Sequence, residues 1–151
     1  MRELTHIMTQ IHATAIAIDD QGILLRGPSG SGKSDLALRL IEQGAQLISD
    51  DRVELLQKGN ALVAFAPQPI EGLLEVRHLG IIKLQHLGAT PIKLVVDLTS
   101  PEELDRMPKE ASAEIDGIDI PLVRLSPFEH SAPAKVSLAL AITLGHLERI
   151  E

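Results

Sequence analysis

The architecture of this chain can be inferred from one segment, which reads Gly27-Pro28-Ser29-Gly30-Ser31-Gly32-Lys33-Ser34. This segment fits the P-loop, or Walker A, pattern G-x-x-x-x-G-K-[ST] without a mismatch. Glycines let successive backbone N–H groups curl around phosphate oxygens, because no Cβ stands in the way. The segment therefore predicts a nucleotide-binding site to which every residue of the loop contributes.

The residues on both sides of the loop support this prediction. Residues 23–26 read as a strand that enters the loop, and residues 34–43 carry apolar side chains at helical spacing. A helix that begins beside the phosphates adds the positive end of its dipole to the site. Lys33 is expected to reach the β- and γ-phosphates, and the Ser34 hydroxyl to bind Mg2+. ATP and Mg2+ are therefore the predicted ligands.

The whole chain, residues 1–151, is predicted to form one α/β domain. Further strands are predicted at residues 11–18, 46–49, 53–56, 61–65, 81–84, 92–98 and 118–125. A helix start is predicted at residues 99–102, where Pro101 falls near the first helical position. A closing helix is predicted over residues 134–149, with its buried positions at Val136, Leu138, Ala139, Ile142 and Leu147.

The composition argues against several other classes of protein. The chain contains two Phe, no Tyr, no Trp and no Cys, and its formal charge is -7. Nucleic acid is not an expected partner, because an acidic chain without stacking aromatics repels a phosphate backbone. The sequence has no apolar run of membrane-spanning length and no signal-peptide pattern, so a cytoplasmic location without membrane contact is expected.

Asp50 and Asp51 follow the predicted strand that comes after the loop helix. Ligands of α/β sheets bind beyond the carboxyl ends of the strands, so this pair is expected to face the nucleotide. Adjacent residues of a strand point to opposite faces, so the two cannot share one role unless the strand has already ended. One is expected to take the proton from an attacking hydroxyl, while the other helps to hold Mg2+.

Three other residues give no functional signal of their own. Glu75 reads as a surface carboxylate, His12 as a structural residue of a strand, and Arg106 as a charge on a helix surface. The histidines match no metal-binding spacing such as H-E-x-x-H. From the residues alone, these three positions stay unassigned.

The order of motifs resembles the C-terminal catalytic domain of the HPr kinase/phosphorylase family over about residues 6–125. The matching stretches are Ile11-His12-Ala13, the P-loop, residues 43–54, residues 75–82 and Leu104-Asp105-Arg106. The resemblance implies an α/β P-loop kinase domain of the HPr kinase/phosphoenolpyruvate carboxykinase fold, with a mixed sheet and flanking helices. It also implies a minimal form of the protein, without the family's separate N-terminal domain.

The resemblance also implies roles for individual residues. Asp51 would act as the general base in phosphorylation and as the acid in the reverse reaction, with His12 assisting and Asp50 in support. The other implied roles are Mg2+ binding by Ser34, Glu75 and Asp50, phosphate binding by Lys33, and stabilisation of the transferring charge by Arg106.

Two departures from the family pattern bear on activity. His78 stands where the family signature has Gly. The family's Pro-Val-(Lys/Arg)-Pro-Gly-Arg-Asn loop, linked to dephosphorylation, is expected near Pro127, but residues 127–135 contain neither Arg nor Gly and include Glu129. An incoming phosphate needs cations at such a loop, so kinase activity is expected to exceed phosphorylase activity strongly.

The leading hypothesis is an ATP-dependent protein serine kinase that phosphorylates HPr or an HPr-like phosphocarrier of a phosphotransferase system. A homo-oligomer is expected, since the family forms hexamers. Two alternatives stay open, because a scaffold does not fix the acceptor. One is a small-molecule kinase or NTPase on the same scaffold, and the other is a nucleotide-binding regulator that has lost catalysis.

Overall fold

The computed structural model describes residues 8–151, and residues 1–7 of the predicted domain lie outside the described residues. The strands are β1 (Met8–His12), β2 (Thr14–Ile18), β3 (Gln21–Arg26), β4 (Gln46–Ser49), β5 (Arg52–Lys58), β6 (Ala61–Phe65), β7 (Leu73–Val76), β8 (Gly80–Lys83), β9 (Thr90–Leu98), β10 (Ala111–Ile115) and β11 (Ile118–Leu125). The α-helices are α1 (Lys33–Glu42) and α2 (Ala132–Thr143), and short 3₁₀ turns span Gln68–Ile70 and Pro101–Glu103.

Most strands belong to one curled, mixed sheet. Its order is β1-β5-β6-β9-β3-β2-β4, with β11 also paired to β9 and β10 paired to β11. The strands β7 and β8 form a separate antiparallel ribbon. The prediction of a mixed α/β fold is therefore confirmed, and both helices pack against this sheet.

Several strands of this sheet end at the same edge. Strands β3 and β11 both run parallel to β9. Strand β4 is antiparallel to β2, which is antiparallel to β3, so β4 runs in the direction of β3. The carboxyl ends of β11, β9, β3 and β4 therefore lie along one edge in that order, where ligands of α/β proteins bind.

The curl of the sheet divides the hydrophobic core into two clusters. One cluster lies inside the curl and consists of residues from the strands and the segments beside them, among them Leu24, Ile48, Leu55, Leu62 and Val95. The other lies between the sheet and the helices and includes Leu25, Leu36, Leu40, Leu94 and Val136. Each fully buried Leu or Val contributes roughly 1.5–3 kcal/mol, so the second cluster fixes the helices, and with them the loop before α1, onto the sheet.

Helix α1 confirms the predicted helix after the loop. It begins at Lys33, directly after Gly32, and Gly44 beyond its end has a φ of 106° that favours glycine. Its buried face consists of Leu36, Ala37 and Leu40.

Several details of the predicted strands are wrong. The strand predicted at residues 11–18 is two strands, because β1 pairs with β5 whereas β2 pairs with β3 and β4. Ala13 lies between them and donates its N–H to the carbonyl of Asp51 at 3.2 Å. Strands β7 and β10 were not predicted. The helix start predicted at residues 99–102 leads only to the 3₁₀ turn Pro101–Glu103.

The closing helix is shorter than predicted. It spans Ala132–Thr143 rather than residues 134–149, and Gly145 follows with a φ of 82°. Of the predicted buried positions only Val136 is buried, while Leu138, Ile142 and Leu147 are exposed. No helix in the described chain, from Met8 onward, has the length and apolarity needed to cross a membrane.

Candidate active site

The P-loop joins β3 to α1 at the shared edge of the sheet. Gly30 and Gly32 have φ values of 81° and 98°, in the left-handed region that favours glycine. The N–H of Ser31 donates to the carbonyl of Pro28 at 3.0 Å, which closes a turn inside the loop. The backbone conformation thus requires the predicted glycines at these two positions.

Lys33 lies back over its own loop. Its Nζ donates to the carbonyl of Gly27 at 2.6 Å and to that of Pro28 at 3.0 Å. An ammonium carries three N–H donors, so one remains for an anion beside the loop. The two hydrogen bonds hold the ammonium group of Lys33 against the first residues of the loop.

Asp50 is the polar centre of the site, and only 6% of it is exposed. Its Oδ1 accepts hydrogen bonds from the Ser34 hydroxyl at 2.6 Å and from the Thr14 hydroxyl at 2.9 Å. Its Oδ2 lies 3.3 Å from the backbone N–H of Glu75, which donates to it. Asp50 therefore connects the start of α1 to strands β2 and β7. Because α1 directly follows the P-loop, these bonds also fix the end of the loop.

The oxygens at this corner suit a hard divalent cation. Mg2+ prefers oxygen ligands and is usually bound by one or two carboxylates together with substrate phosphates. The Ser34 hydroxyl and the Asp50 carboxylate lie together, as the predicted Mg2+ site requires. The third predicted ligand, Glu75, contributes its backbone N–H to Asp50, while its side chain is exposed. Within residues 8–151, no three His, Asp or Glu side chains converge on one point.

Asp51 lies in an exposed turn beside this corner. Its φ is 73°, and the N–H of Arg52 donates across it to the carbonyl of Asp50 at 2.8 Å, the pattern of a γ-turn. The strand has already ended at Ser49, so strand alternation does not govern the pair. The two aspartates nevertheless occupy different environments, because the turn directs Asp51 to solvent with its side chain 65% exposed.

His12 is brought to Asp51 by strand pairing. Strand β1 pairs with β5 so that His12 lies opposite Arg52. The His12 Nδ1 atom is 3.6 Å from the Asp51 Oδ1 atom, and the His12 side chain is 74% exposed. The structure thus places His12 beside the residue that the family resemblance implied as the general base.

Arg106 is the predicted site residue that lies apart from the hydrogen bonds and ion pairs described above for the site. It is exposed, in the segment between the 3₁₀ turn Pro101–Glu103 and β10, and this segment is not the helix that the sequence suggested. In the described part of the chain, no hydrogen bond or ion pair joins it to Lys33, Asp50 or Asp51.

Two charged residues beneath the loop were missed. Arg26, the last residue of β3, makes paired hydrogen bonds to Asp97 of β9, from Nε at 2.7 Å and from the terminal nitrogen at 3.0 Å. Such bidentate pairs fix geometry as well as charge. The pair ties the strand that enters the P-loop to its parallel neighbour. Only a prediction of the β3–β9 pairing could have revealed it.

These features define a mixed α/β protein with a curled sheet, in which a glycine-rich loop and a pair of aspartates share the carboxyl edge. The family model described as HPr Serine kinase C-terminal domain matches residues 3–139, and the chain belongs to this family. The family resemblance inferred from the sequence is therefore confirmed.

Individual relatives agree with the family assignment. HPr kinase/phosphorylase of Lactobacillus acidophilus is 39% identical over 127 residues, which cover 76% of this chain and 39% of that protein. The protein of the same name from Geobacillus thermodenitrificans is 40% identical over 129 residues, 78% of this chain and 41% of that protein. The chain thus spans about two fifths of the length of these curated relatives.

A solved structure shares the fold over nearly the whole chain. The Hpr(Ser) kinase/phosphatase from Coxiella burnetii is 26% identical, with a TM-score of 0.82. The match covers 93% of this chain and 99% of that one. The curated relatives and this structure are enzymes by name.

Proposed function

We propose that this chain is an ATP-dependent protein serine kinase that phosphorylates HPr or an HPr-like phosphocarrier. Family membership and the names of the relatives support this function. The observation that carries it is the hydrogen bond between Ser34 and Asp50, at 2.6 Å. This bond joins the P-loop helix to the aspartate pair, which supports a mechanism in which the loop binds phosphate and Asp51 accepts the proton.

The loop and Lys33 bind the phosphates of the nucleotide. Backbone N–H groups of the loop and the N-terminus of α1 donate to phosphate oxygens. Lys33 neutralises the developing charge, as phosphoryl transfer demands. When bound, Mg2+ would neutralise part of the negative charge of the phosphates. Ser34 and Asp50 are the residues that hold it in this proposal, with Glu75 beside them.

Asp51 receives the proton of the attacking serine. It is exposed in its turn, which lets a hydroxyl on a protein surface approach it. Asp50, in contrast, is occupied by two hydroxyl donors. His12, with its Nδ1 3.6 Å from the Asp51 carboxylate, assists Asp51 in this proposal. A proton acceptor placed in this way typically contributes a factor of about 10²–10⁴ to the rate.

The forward reaction is favoured over phosphorolysis. In the segment after β11, Phe128, Glu129 and His130 follow Pro127, and Glu129 forms an ion pair with Lys135 at 2.8 Å. A carboxylate there repels an incoming phosphate, and its ion pair occupies the Lys135 cation. The remaining expectations, a single domain, a homo-oligomer and a cytoplasmic location, stay predictions.

The proposal is tested with radiolabelled ATP, Mg2+ and HPr, with analysis of the labelled amino acid. We expect phosphoserine on HPr with the wild-type chain, and none with an HPr in which the acceptor serine is replaced by alanine. ATP turnover without labelled HPr would instead support a small-molecule kinase or NTPase. Nucleotide binding without any turnover would support a regulator.

A further inference from the structure

The segment after β11, residues 126–131, borders the P-loop on the side opposite the aspartates. The edge order of the strands is β11, β9, β3 and β4. Asp50 and Asp51 follow β4, the P-loop follows β3, and the segment follows β11. The P-loop thus lies between the carboxylates on one flank and this segment on the other.

Phe128 brings an aromatic ring against the P-loop. A methyl group at Gly32 would lie 3.1 Å from both the Cε1 and the Cζ atoms of Phe128. The edge of the ring therefore rests over the glycine that precedes Lys33. Phe128 is nevertheless 70% exposed, so most of its surface is open to solvent rather than packed in the core.

The segment that carries Phe128 is anchored from two helices. The Arg39 guanidinium of α1 donates to the carbonyl of Pro127 and, at 3.3 Å, to that of Glu129. The Arg39 side chain is itself fixed by an ion pair with Asp35 at 3.1 Å. The Glu129 side chain is bonded to Lys135 of α2. Phe128 is thus an exposed residue whose two sequence neighbours, Pro127 and Glu129, are both fixed by hydrogen bonds or ion pairs.

The orientation of a bound nucleotide follows from the positions of Asp51 and Phe128 on opposite sides of the P-loop. A P-loop cradles the α- and β-phosphates, and its lysine reaches the β- and γ-phosphates. The γ-phosphate must point toward Asp51 for transfer to occur, because that carboxylate takes the proton of the acceptor. The other end of the nucleotide, with its base, then leaves the loop on the opposite flank, where Phe128 lies.

We propose that the ring of Phe128 stacks against the base of the bound nucleotide. This inference rests on the proposed function, since it assumes a nucleotide with its γ-phosphate toward Asp51. Every base offers a π-face, so stacking supplies affinity with little base preference. The scarcity of aromatics in the chain, with Phe65 of β6 as the other one, makes Phe128 a specific and testable contact.

The test separates base recognition from phosphate recognition. ADP and inorganic tripolyphosphate, each with Mg2+, are titrated calorimetrically into the wild-type chain and into Phe128→Ala. We expect Phe128→Ala to weaken ADP binding about tenfold, the size of one base–aromatic stack, and to leave tripolyphosphate binding unchanged. Phe128→Trp should retain ADP binding, because it restores an aromatic face.

Two variants serve as controls. Lys33→Ala should weaken both ligands, because it removes a phosphate contact. Leu138→Ala, which truncates an exposed apolar residue of α2, should weaken neither. Thermal unfolding of each variant shows that the fold is retained.

The possible failures are distinguishable. If Phe128→Ala weakens the binding of ADP and tripolyphosphate equally, or weakens the binding of neither, the stacking proposal is wrong and the kinase proposal is unaffected. Unchanged ADP binding with a raised KM for the phosphocarrier would instead assign Phe128 to acceptor contact. A wild-type chain that binds neither ligand would overturn the proposed function itself.

Discussion

Asp50 and Asp51 are neighbours in the sequence but belong to two different regions of the site. Asp50 lies in a buried corner, 6% exposed, where its carboxylate accepts bonds from Thr14, Ser34 and the amide of Glu75. Asp51 lies in an exposed turn with a φ of 73° and has His12 beside it. In the proposed mechanism the two residues differ accordingly, since Asp50 fixes the loop and helps to hold Mg2+, and Asp51 accepts the proton of the acceptor. Substitutions at the two positions should therefore affect different properties, namely stability at Asp50 and the rate of phosphoryl transfer at Asp51.

The largest effect is expected for Asp51→Asn. Asparagine tolerates the left-handed backbone of this turn and keeps the size of the side chain, so folding and nucleotide binding should be retained. The rate of phosphoryl transfer to HPr should fall by about 10²–10⁴-fold, because an amide cannot accept the proton. Single-turnover kinetics with labelled ATP measure the rate, and calorimetry with ADP is the control. A variant that transfers phosphate at the wild-type rate would remove Asp51 from the mechanism.

Asp50→Ala should instead destabilise the fold. The substitution strips the Thr14 and Ser34 hydroxyls of their acceptor in a buried corner, which should lower the free energy of unfolding by about 2–4 kcal/mol. Urea unfolding measures this loss. Asp50→Asn is the matched control, because it retains a carbonyl acceptor and should lose less stability. If Asp50→Ala were as stable as the wild type, the corner would not be a structural centre.

Thr14→Val isolates one bond of the same corner. It removes the hydroxyl that donates to Asp50 at 2.9 Å but leaves Ser34 in place. The free energy of unfolding should fall by about 1 kcal/mol, with little change in transfer rate. A loss as large as that of Asp50→Ala would mean that Thr14, rather than Ser34, is the principal partner of Asp50. Urea unfolding, as for Asp50→Ala, measures this change in the free energy of unfolding.

The sequence was sufficient to predict the P-loop. It was not sufficient to predict that Asp50 is buried and Asp51 exposed. The strand, loop and helix at residues 23–42 follow from local signals, namely the glycines and the helical spacing of apolar residues. The placement of the aspartates at the loop follows from the rule for strand ends. Their partners differ as well, since Thr14 of β2 binds Asp50 and His12 of β1 lies beside Asp51, and only strand pairing brings these residues near.

Errors elsewhere have similar causes. Residues 136–142 of α2 are almost uniformly apolar, so helical periodicity could not choose a buried face, and Leu138 and Ile142 were placed wrongly. The contact between Phe128 and Gly32 joins distant parts of the sequence. No local pattern marks it, because it arises from the parallel pairing of β11 with β9 and β9 with β3.

The smallest effect is expected for His78→Gly, which tests whether backbone strain alone distinguishes Asp51. His78 has a φ of 72°, close to that of Asp51, and is also exposed. Glycine relieves the left-handed strain but loses more conformational freedom on folding. The free energy of unfolding should therefore change by less than about 1 kcal/mol, and the transfer rate should stay near that of the wild type. Asp51→Gly relieves the strain of its own turn but should lose the transfer activity, because it removes the carboxylate. An Asp51→Gly variant with the wild-type rate would contradict the role of that carboxylate.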